Sequence, residues 1–160
     1  MSAKETRRES DLAAINDVYE RWCRAWRTLD SKLMVSLFDQ DSEGLLYQSE
    51  ENPSGLFKYS EVVAYWENAL NILDKVTEWR ELVKRVALVG SDAAWIWAEM
   101  MTGLTAKIFP QELGGKIRCS IGLRRTNGSW KIVHYHESRQ LLMNPGADGV
   151  WTFLPDVTLK

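Results

Sequence analysis

The residues best suited to chemistry lie together near the end of the sequence, between Asn127 and Ser138. Tyr135 and Glu137 alternate there with His134 and His136, and residues two apart on a strand point to the same face of a sheet. A carboxyl group among aromatic rings has its pKa raised by desolvation, so Glu137 is the candidate general acid or base. Tyr135 would donate a hydrogen bond to the same ligand. The predicted chemistry is proton transfer without a metal or an organic cofactor.

The two histidines also allow a metal site, because alternate strand residues point the same way and imidazole suits zinc. Such a site needs a third ligand, for which Glu99 is the candidate. Arg118 and Arg124 would lie on the same face, and their positive charges would oppose a cation. We therefore favour a polar network at a subunit interface and predict no metal.

Composition restricts the class of protein. A chain of 160 residues fits one domain with a sizeable core. Its 20 basic and 22 acidic residues are mixed along the chain, with a formal charge of -2, so we expect no nucleic-acid partner. No apolar run is long enough for a transmembrane helix or a signal peptide, so we expect a cytoplasmic protein without a membrane partner. Cys23 and Cys119 are expected to be free, buried thiols.

The spacing of apolar residues places helices first and strands after them. It predicts a long amphipathic helix from Leu12 to Leu29, a short helix capped by Asp30, a brief strand at residues 45 to 47 and a third helix near residues 62 to 73. Strands follow at about 77 to 89, 92 to 106, 115 to 125 and 129 to 142, with Gly114-Gly115 as one of the turns. This order predicts an α+β fold in which N-terminal helices pack on a curved antiparallel sheet. Residues 1 to 9 are expected to be a flexible N-terminus, residues 10 to 142 the domain, and residues 143 to 160 a docked C-terminal arm with Val150, Trp151, Phe153 and Leu154.

The hairpin at Asn127-Gly128 admits two registers, and they decide which side chains face the helices. A two-residue loop would pair Thr126 with Ser129, whereas a three-residue loop would pair Arg125 with Ser129. We favour the second, because it groups Val133, Tyr135 and Glu137 with the apolar face of the preceding strand. Trp130, Ile132, His134 and His136 would then face a partner or solvent.

Three motifs give the chain a family resemblance. Tyr65-Trp66-Glu67-Asn68-Ala69-Leu70, Val89-Gly90-Ser91-Asp92-Ala93-Ala94 and the stretch from Asn127 to Ser138 resemble segments of the association domain of calcium/calmodulin-dependent protein kinase. The chain thus resembles the nuclear-transport-factor-2-like superfamily, which includes SnoaL-like proteins and ketosteroid isomerases. The resemblance implies a cone-shaped, cystatin-like fold, usually dimeric, over about residues 10 to 142.

The functional residues of these relatives mostly do not carry over. The isomerases hold an oxyanion with a tyrosine and an aspartate, where this chain has Trp22 and, approximately, Arg118. Their carboxylate base corresponds to Tyr47 or Gln48, so the resemblance does not support their mechanism. The association domains carry pocket arginines, where this chain has Met100, Ile121 and Glu137.

The expected site combines an apolar cavity with an interface on the opposite sheet face. The cavity lining is predicted to be Tyr19, Trp22, Trp26, Tyr47, Trp66, Leu70, Ile96, Ala98, Met100, Ile121 and Val133, with Tyr135 and Glu137. The interface is predicted to hold Trp95, Trp97, Glu99, Arg118, Trp130, His134 and His136. Such a cavity suits a small apolar or aromatic ligand. Three hypotheses follow: a homodimeric binding protein, a cofactor-independent isomerase, dehydratase or cyclase, and an oligomerisation domain without catalysis.

Overall fold

Three helices open the structure, a computed structural model that describes residues 3–139, 141–145 and 151–155. They are α1 (Ala3–Thr28), α2 (Ser31–Ser36) and α3 (Tyr59–Ile72). The predicted cap of α2 is confirmed, because the Asp30 carboxylate accepts a hydrogen bond of 2.8 Å from the backbone N–H of Leu33. Helix α1 begins well before Leu12, and residues 3 to 9 form its first turns. Residues 5 to 9 are polar and exposed, which is why the apolar spacing did not include them.

A curved five-stranded sheet packs against the helices, and its first strand lies between α2 and α3 in the chain. Its strands are β1 (Leu46–Gln48), β2 (Leu73–Val89), β3 (Ala93–Ala106), β4 (Phe109–Thr126) and β5 (Ser129–Arg139), in the spatial order β1-β5-β4-β3-β2. The predicted α+β fold with helices packed on a curved sheet is confirmed. The sheet is mixed, however, because β1 runs parallel to β5 while the other pairs are antiparallel.

One predicted turn was wrong. Gly114 and Gly115 lie inside β4, and the chain turns between β3 and β4 at residues 107 and 108. A Cβ atom added to Gly114 would lie 2.3 Å from the backbone oxygen of Thr102. Glycine is therefore needed here because two strands approach closely, rather than because the chain reverses.

The hairpin between β4 and β5 follows the first of the two registers at its turn and neither of them beyond it. Thr126 pairs with Ser129 across the two-residue turn, in which Asn127 and Gly128 both have positive φ angles of 50° and 79°. A β-bulge at Val133 then shifts the register, so that Ile121 pairs with Tyr135. The favoured three-residue loop was thus wrong at the turn.

The bulge also decides which face each residue of β5 occupies. Beyond it, Tyr135 and Glu137 lie on the buried face, as predicted. Before it, Trp130 and Ile132 are buried in the core as well, so their predicted place on the outer face was wrong.

The C-terminal segment forms a small sheet of its own. Strands β6 (Leu141–Pro145) and β7 (Trp151–Pro155) pair in antiparallel fashion. The boundary expected at residue 143 therefore falls inside β6. Val150, which we expected to help dock this arm, lies outside the described residues. Within the described part of the chain, no helix is long and apolar enough to cross a membrane.

Candidate active site

The carboxyl group of Glu137 is the centre of the candidate site. Its residue is only 7% exposed, on the face of β5 that the helices cover. The hydroxyl group of Tyr135 donates a hydrogen bond to Oε2, and the backbone N–H of Glu50 donates one of 3.3 Å to Oε1. Burial raises the pKa of Glu137 to about 7, although the bond from Tyr135 opposes the rise and the charges of Glu51 and Glu50 add to it. A carboxyl group with this pKa can give or take a proton near neutral pH.

Tyr135 joins that carboxyl group to the aromatic core. Its ring stacks on Tyr47 with 4.9 Å between centroids and contacts Trp22 at 5.9 Å. Its hydroxyl group also lies 3.8 Å from the sulfur of Cys119, and either atom can be the donor. Burial raises the pKa of Tyr135, Tyr47 and Cys119, so all three stay protonated near neutral pH.

The row of Cys119, Tyr135 and Glu137 can therefore exist in two hydrogen-bonded arrangements. When Glu137 is ionised, Tyr135 donates to it, and the thiol of Cys119 can donate to the tyrosine oxygen. When Glu137 is protonated, its own O–H can donate to Tyr135, whose hydroxyl hydrogen then turns toward the sulfur. Either protonation state of Glu137 keeps its partners, as a group that exchanges protons during a reaction requires.

Tryptophan rings extend the buried surface beside this row. Trp26 stacks on Trp79 at 4.6 Å and meets the edge of Trp66 at 4.7 Å, and Trp79 also contacts Trp22 at 5.3 Å. Trp79 was not among the cavity residues predicted from the sequence, although it lies in a predicted strand. Register shifts on both sides of Trp79, between Val76 and Glu78 and between Glu81 and Val83, change the alternation of β2 and accompany its place in the core.

Several buried polar groups near the site find no partner among the described residues. They include the indole N–H groups of Trp26, Trp66 and Trp79 and the hydroxyl groups of Tyr47 and Ser49, which lie near the hydroxyl group of Tyr65 without a hydrogen bond of ordinary geometry. Tyr47 and Ser49 are 1% and 0% exposed, so solvent does not satisfy them. Buried polar groups normally have hydrogen-bond partners, and these five could bind polar atoms of a ligand. Ser49 was not among the residues predicted from the sequence.

Most of the predicted cavity residues come together in one buried cluster. Those buried in the hydrophobic core with Tyr135 are Tyr19, Trp22, Trp26, Tyr47, Trp66, Ile96, Ala98, Met100 and Ile121. Two of the predicted cavity residues are only partly buried. They are Val133, at the β-bulge, and Leu70, on α3. The hydroxyl group of Tyr19 contacts the sulfur of Met100 at 3.3 Å, so these two side chains already satisfy each other.

The opposite face of the sheet carries most of the predicted interface residues. Trp95 and Trp97 are 45% and 38% exposed there, and the Trp95 ring meets His134 at 5.2 Å. Gly122 makes room for Trp95, because a Cβ atom at this position would lie 3.0 Å from the indole ring. His136 is exposed on this face.

The predicted polar network on that face takes a different form. Glu99 pairs with Lys116 at 3.6 Å, and Arg118 donates to the backbone oxygen of Arg139 at 3.1 Å. Trp130 is not part of this face, since it is 5% exposed in the core beneath the guanidinium group of Arg125. No group of three histidine, cysteine, aspartate or glutamate side chains within the described ranges is arranged to hold a metal ion.

Comparison with known proteins places the chain in a family. The profile of the SnoaL-like domain matches residues 15 to 143. The chain belongs to the SnoaL-like domain family. The comparison with curated proteins gives no match.

Solved structures with this fold include enzymes and association domains. A hexachlorocyclohexane dehydrochlorinase of type 2 is similar with a TM-score of 0.73 and 13% identity, over 98% of this chain and 97% of that one. A protein of Novosphingobium aromaticivorans assigned as a scytalone dehydratase has a TM-score of 0.73 and 9% identity, over 86% and 89%. A Xanthomonas campestris protein assigned as an association domain of calcium/calmodulin-dependent protein kinase II has a TM-score of 0.62 and 18% identity, over 81% and 86%. These similarities establish the SnoaL-like, nuclear-transport-factor-2-like fold that the sequence motifs indicated.

Proposed function

We propose that this SnoaL-like protein binds a small apolar or aromatic molecule beside Glu137 and acts on it as a cofactor-independent isomerase, dehydratase or cyclase. The observation that carries the proposal is the buried pair of Tyr135 and Glu137, in which the carboxyl group has a pKa of about 7. General acid-base catalysis is most effective when the pKa of the catalytic group lies near the working pH.

The surroundings of the pair support a ligand that is mainly apolar. Tyr47, Trp22 and Trp66 present aromatic rings around it, and each of these residues is 1% exposed. The unpartnered hydroxyl groups of Tyr47 and Ser49 would orient the polar part of the ligand. Proteins of this fold named as a dehydrochlorinase and as a dehydratase are consistent with such an elimination or isomerisation.

Native mass spectrometry of the protein purified from its own source tests the binding part of this proposal. We expect a small molecule that leaves only under denaturing conditions. With that molecule or its product in hand, the Glu137→Gln variant should keep binding and lose turnover by at least about 100-fold. The matched control is Asp17→Asn, since Asp17 lies in an exposed ion pair with Arg21 on α1. Normal turnover by Glu137→Gln would contradict the catalytic role.

A second candidate function is assembly, which the outer face of the sheet favours. Trp95 and Trp97 lie side by side on adjacent outward positions of β3, and both are exposed. Aromatic residues are enriched at interfaces between subunits, so we propose a homodimer formed through this face. A purely assembling protein would retain the dimer and carry no ligand. The cytoplasmic location expected from the sequence stays a prediction.

A further inference from the structure

A short loop covers the candidate catalytic carboxyl group. The chain leaves β1 after Gln48 and returns at Leu56, whose backbone exchanges hydrogen bonds of 2.9 and 2.8 Å with that of Tyr47. Within the loop, the Gln48 side chain donates to the backbone oxygens of Ser49 and Asn52, each at 2.7 Å. The turn from residue 49 to residue 52 is therefore braced internally and can move as a unit.

This turn contacts Glu137 directly. The backbone N–H of Glu50 is the donor that reaches Oε1 of Glu137. The turn thus supplies one of the hydrogen bonds that orient the carboxyl group and helps keep that residue 7% exposed. If the turn moved away, Glu137 would lose that bond and meet solvent.

Two side-chain contacts tie the turn to the rest of the fold. The guanidinium Nε of Arg139 donates to both carboxylate oxygens of Glu50, at 2.5 and 2.7 Å, and Nη1 of Arg139 donates to the backbone oxygen of Gly114 on β4. On the other side, the hydroxyl group of Tyr65 on α3 donates to Glu51. Charge-assisted bonds of this kind are stronger than neutral ones.

We propose that the ion pair of Glu50 and Arg139 is a clamp that holds the 49–52 turn over Glu137 and controls access to the site. The inference rests on the proposed role of Glu137. Arg139 acts through Glu50, so both are positioning residues rather than catalytic ones. Their side chains are 27% and 26% exposed, so dissolved salt can screen the pair.

Cys119 provides a readout of clamp opening that needs no substrate. Its thiol lies behind Glu137, in contact with Tyr135, and is 0% exposed. Cys23 on α1 is also buried, at 2% exposed, in the same core, but its polar neighbours are Tyr19 and Trp79 rather than Tyr135. A small neutral thiol reagent, methyl methanethiosulfonate, should label each cysteine only when its surroundings open, and mass spectrometry of the peptides gives both rates in one sample.

The Glu50→Gln and Arg139→Gln variants should label at Cys119 about tenfold faster than the unmutated protein, with Cys23 unchanged. The Arg139→Lys variant keeps the charge and should label more slowly than Arg139→Gln. Asp17→Asn is the matched control, because it makes the same change of a carboxylate to an amide in another exposed ion pair, with Arg21 on α1, and should leave both rates as they are. For the unmutated protein, 1 M NaCl should also speed labelling of Cys119, but not in Glu50→Gln.

Equal acceleration of both cysteines would mean general destabilisation and would overturn the clamp. Unchanged labelling of Cys119 in Glu50→Gln and Arg139→Gln would overturn it too. Neither result would affect the proposed role of Glu137, which is tested separately by ligand retention and turnover of Glu137→Gln.

Discussion

The hydroxyl group of Tyr135 donates a hydrogen bond to the carboxyl group of Glu137, two residues further along the same buried strand face. The bond links an aromatic ring that stacks on Tyr47 to the buried carboxyl group with the raised pKa. Since it favours the ionised form of Glu137, Tyr135 keeps the pKa of this group near neutrality instead of letting burial raise it further.

Removing that hydroxyl group should therefore raise the pKa of Glu137 above its value of about 7. The Tyr135→Phe variant makes this change with little loss of volume. The measurement is a pH titration of the side-chain carboxyl carbon by NMR. Tyr47→Phe is the matched control, because the donors to the Glu137 carboxyl group are Tyr135 and the backbone of Glu50, and not the hydroxyl group of Tyr47. A lower pKa in Tyr135→Phe, or an equal change in both variants, would argue against the role of Tyr135.

The stability of the protein should depend on pH through Glu137. Its pKa is about 7 in the folded state against the ordinary 4.5, so folding favours the protonated form. The resulting stabilisation is complete below about pH 4.5 and is lost as the pH rises through 7. It amounts to about 3 kcal/mol, since each tenfold change in proton affinity corresponds to about 1.4 kcal/mol.

Urea unfolding of the unmutated protein and of Glu137→Gln checks this pH dependence. The amide side chain introduced by this substitution is neutral at every pH. The free energy of unfolding of the unmutated protein relative to the variant should therefore fall by about 3 kcal/mol between pH 4.5 and pH 8. A constant difference across that range would show that Glu137 has an ordinary pKa in the folded protein.

Asp39 should be the carboxylate on which the β4–β5 hairpin most depends. It is 2% exposed, and its oxygens accept hydrogen bonds from Arg124 at 2.9 Å, Thr126 at 2.7 Å and the backbone N–H of Asp41 at 3.1 Å. Burial alone would raise the pKa of Asp39, but these bonds outweigh it and lower the pKa below its usual value. Its stabilisation is thus present at neutral pH and is lost as the pH falls through the lowered pKa.

The Asp39→Asn variant should therefore lose about 2 kcal/mol of the free energy of unfolding at pH 7. Chemical denaturation measures this loss, and the exposed neighbour Asp41 offers the control Asp41→Asn, which should change stability by less than about 0.5 kcal/mol. Similar losses for the two variants would contradict the proposed importance of the Asp39 bonds.

The exposed tryptophans of β3 should hold two subunits together. Analytical ultracentrifugation of the unmutated chain should give a dimer, and replacing both Trp95 and Trp97 by serine should raise its Kd by at least about 100-fold. Ile108→Ser is the control, because Ile108 is 70% exposed at the turn between β3 and β4, away from this face. A monomeric unmutated chain, or a dimer that survives the double substitution, would rule this interface out.

The sequence was most informative where a local rule applies. The cap at Asp30 and the shared face of Tyr135 and Glu137 follow from helix-capping and strand alternation, and both are present. The β-bulge at Val133 could not be predicted, because it depends on how two long strands pair and not on the residues at the turn. Because of this bulge, Trp130 is buried in the core and not at the interface where we predicted it.

Contacts between distant segments of the chain could not be predicted from the sequence either. Glu50 and Arg139 are 89 residues apart, and no pattern in the chain indicates that they form an ion pair. The loop that holds Ser49 and Glu50 offered only polar and turn-forming residues, which are typical of many surface loops. Only the fold shows that this loop covers the candidate catalytic carboxyl group.

The measurement that tests the central claim most directly is the pKa of Glu137 itself, from an NMR titration of its carboxyl carbon in the unmutated protein, with Glu137→Gln to assign the signal. A proton-transfer site requires a carboxyl group that titrates near neutral pH, and the predicted pKa is about 7. A pKa at or below the ordinary value of 4.5 would mean that Glu137 is a solvated carboxylate and would contradict the proposed chemistry.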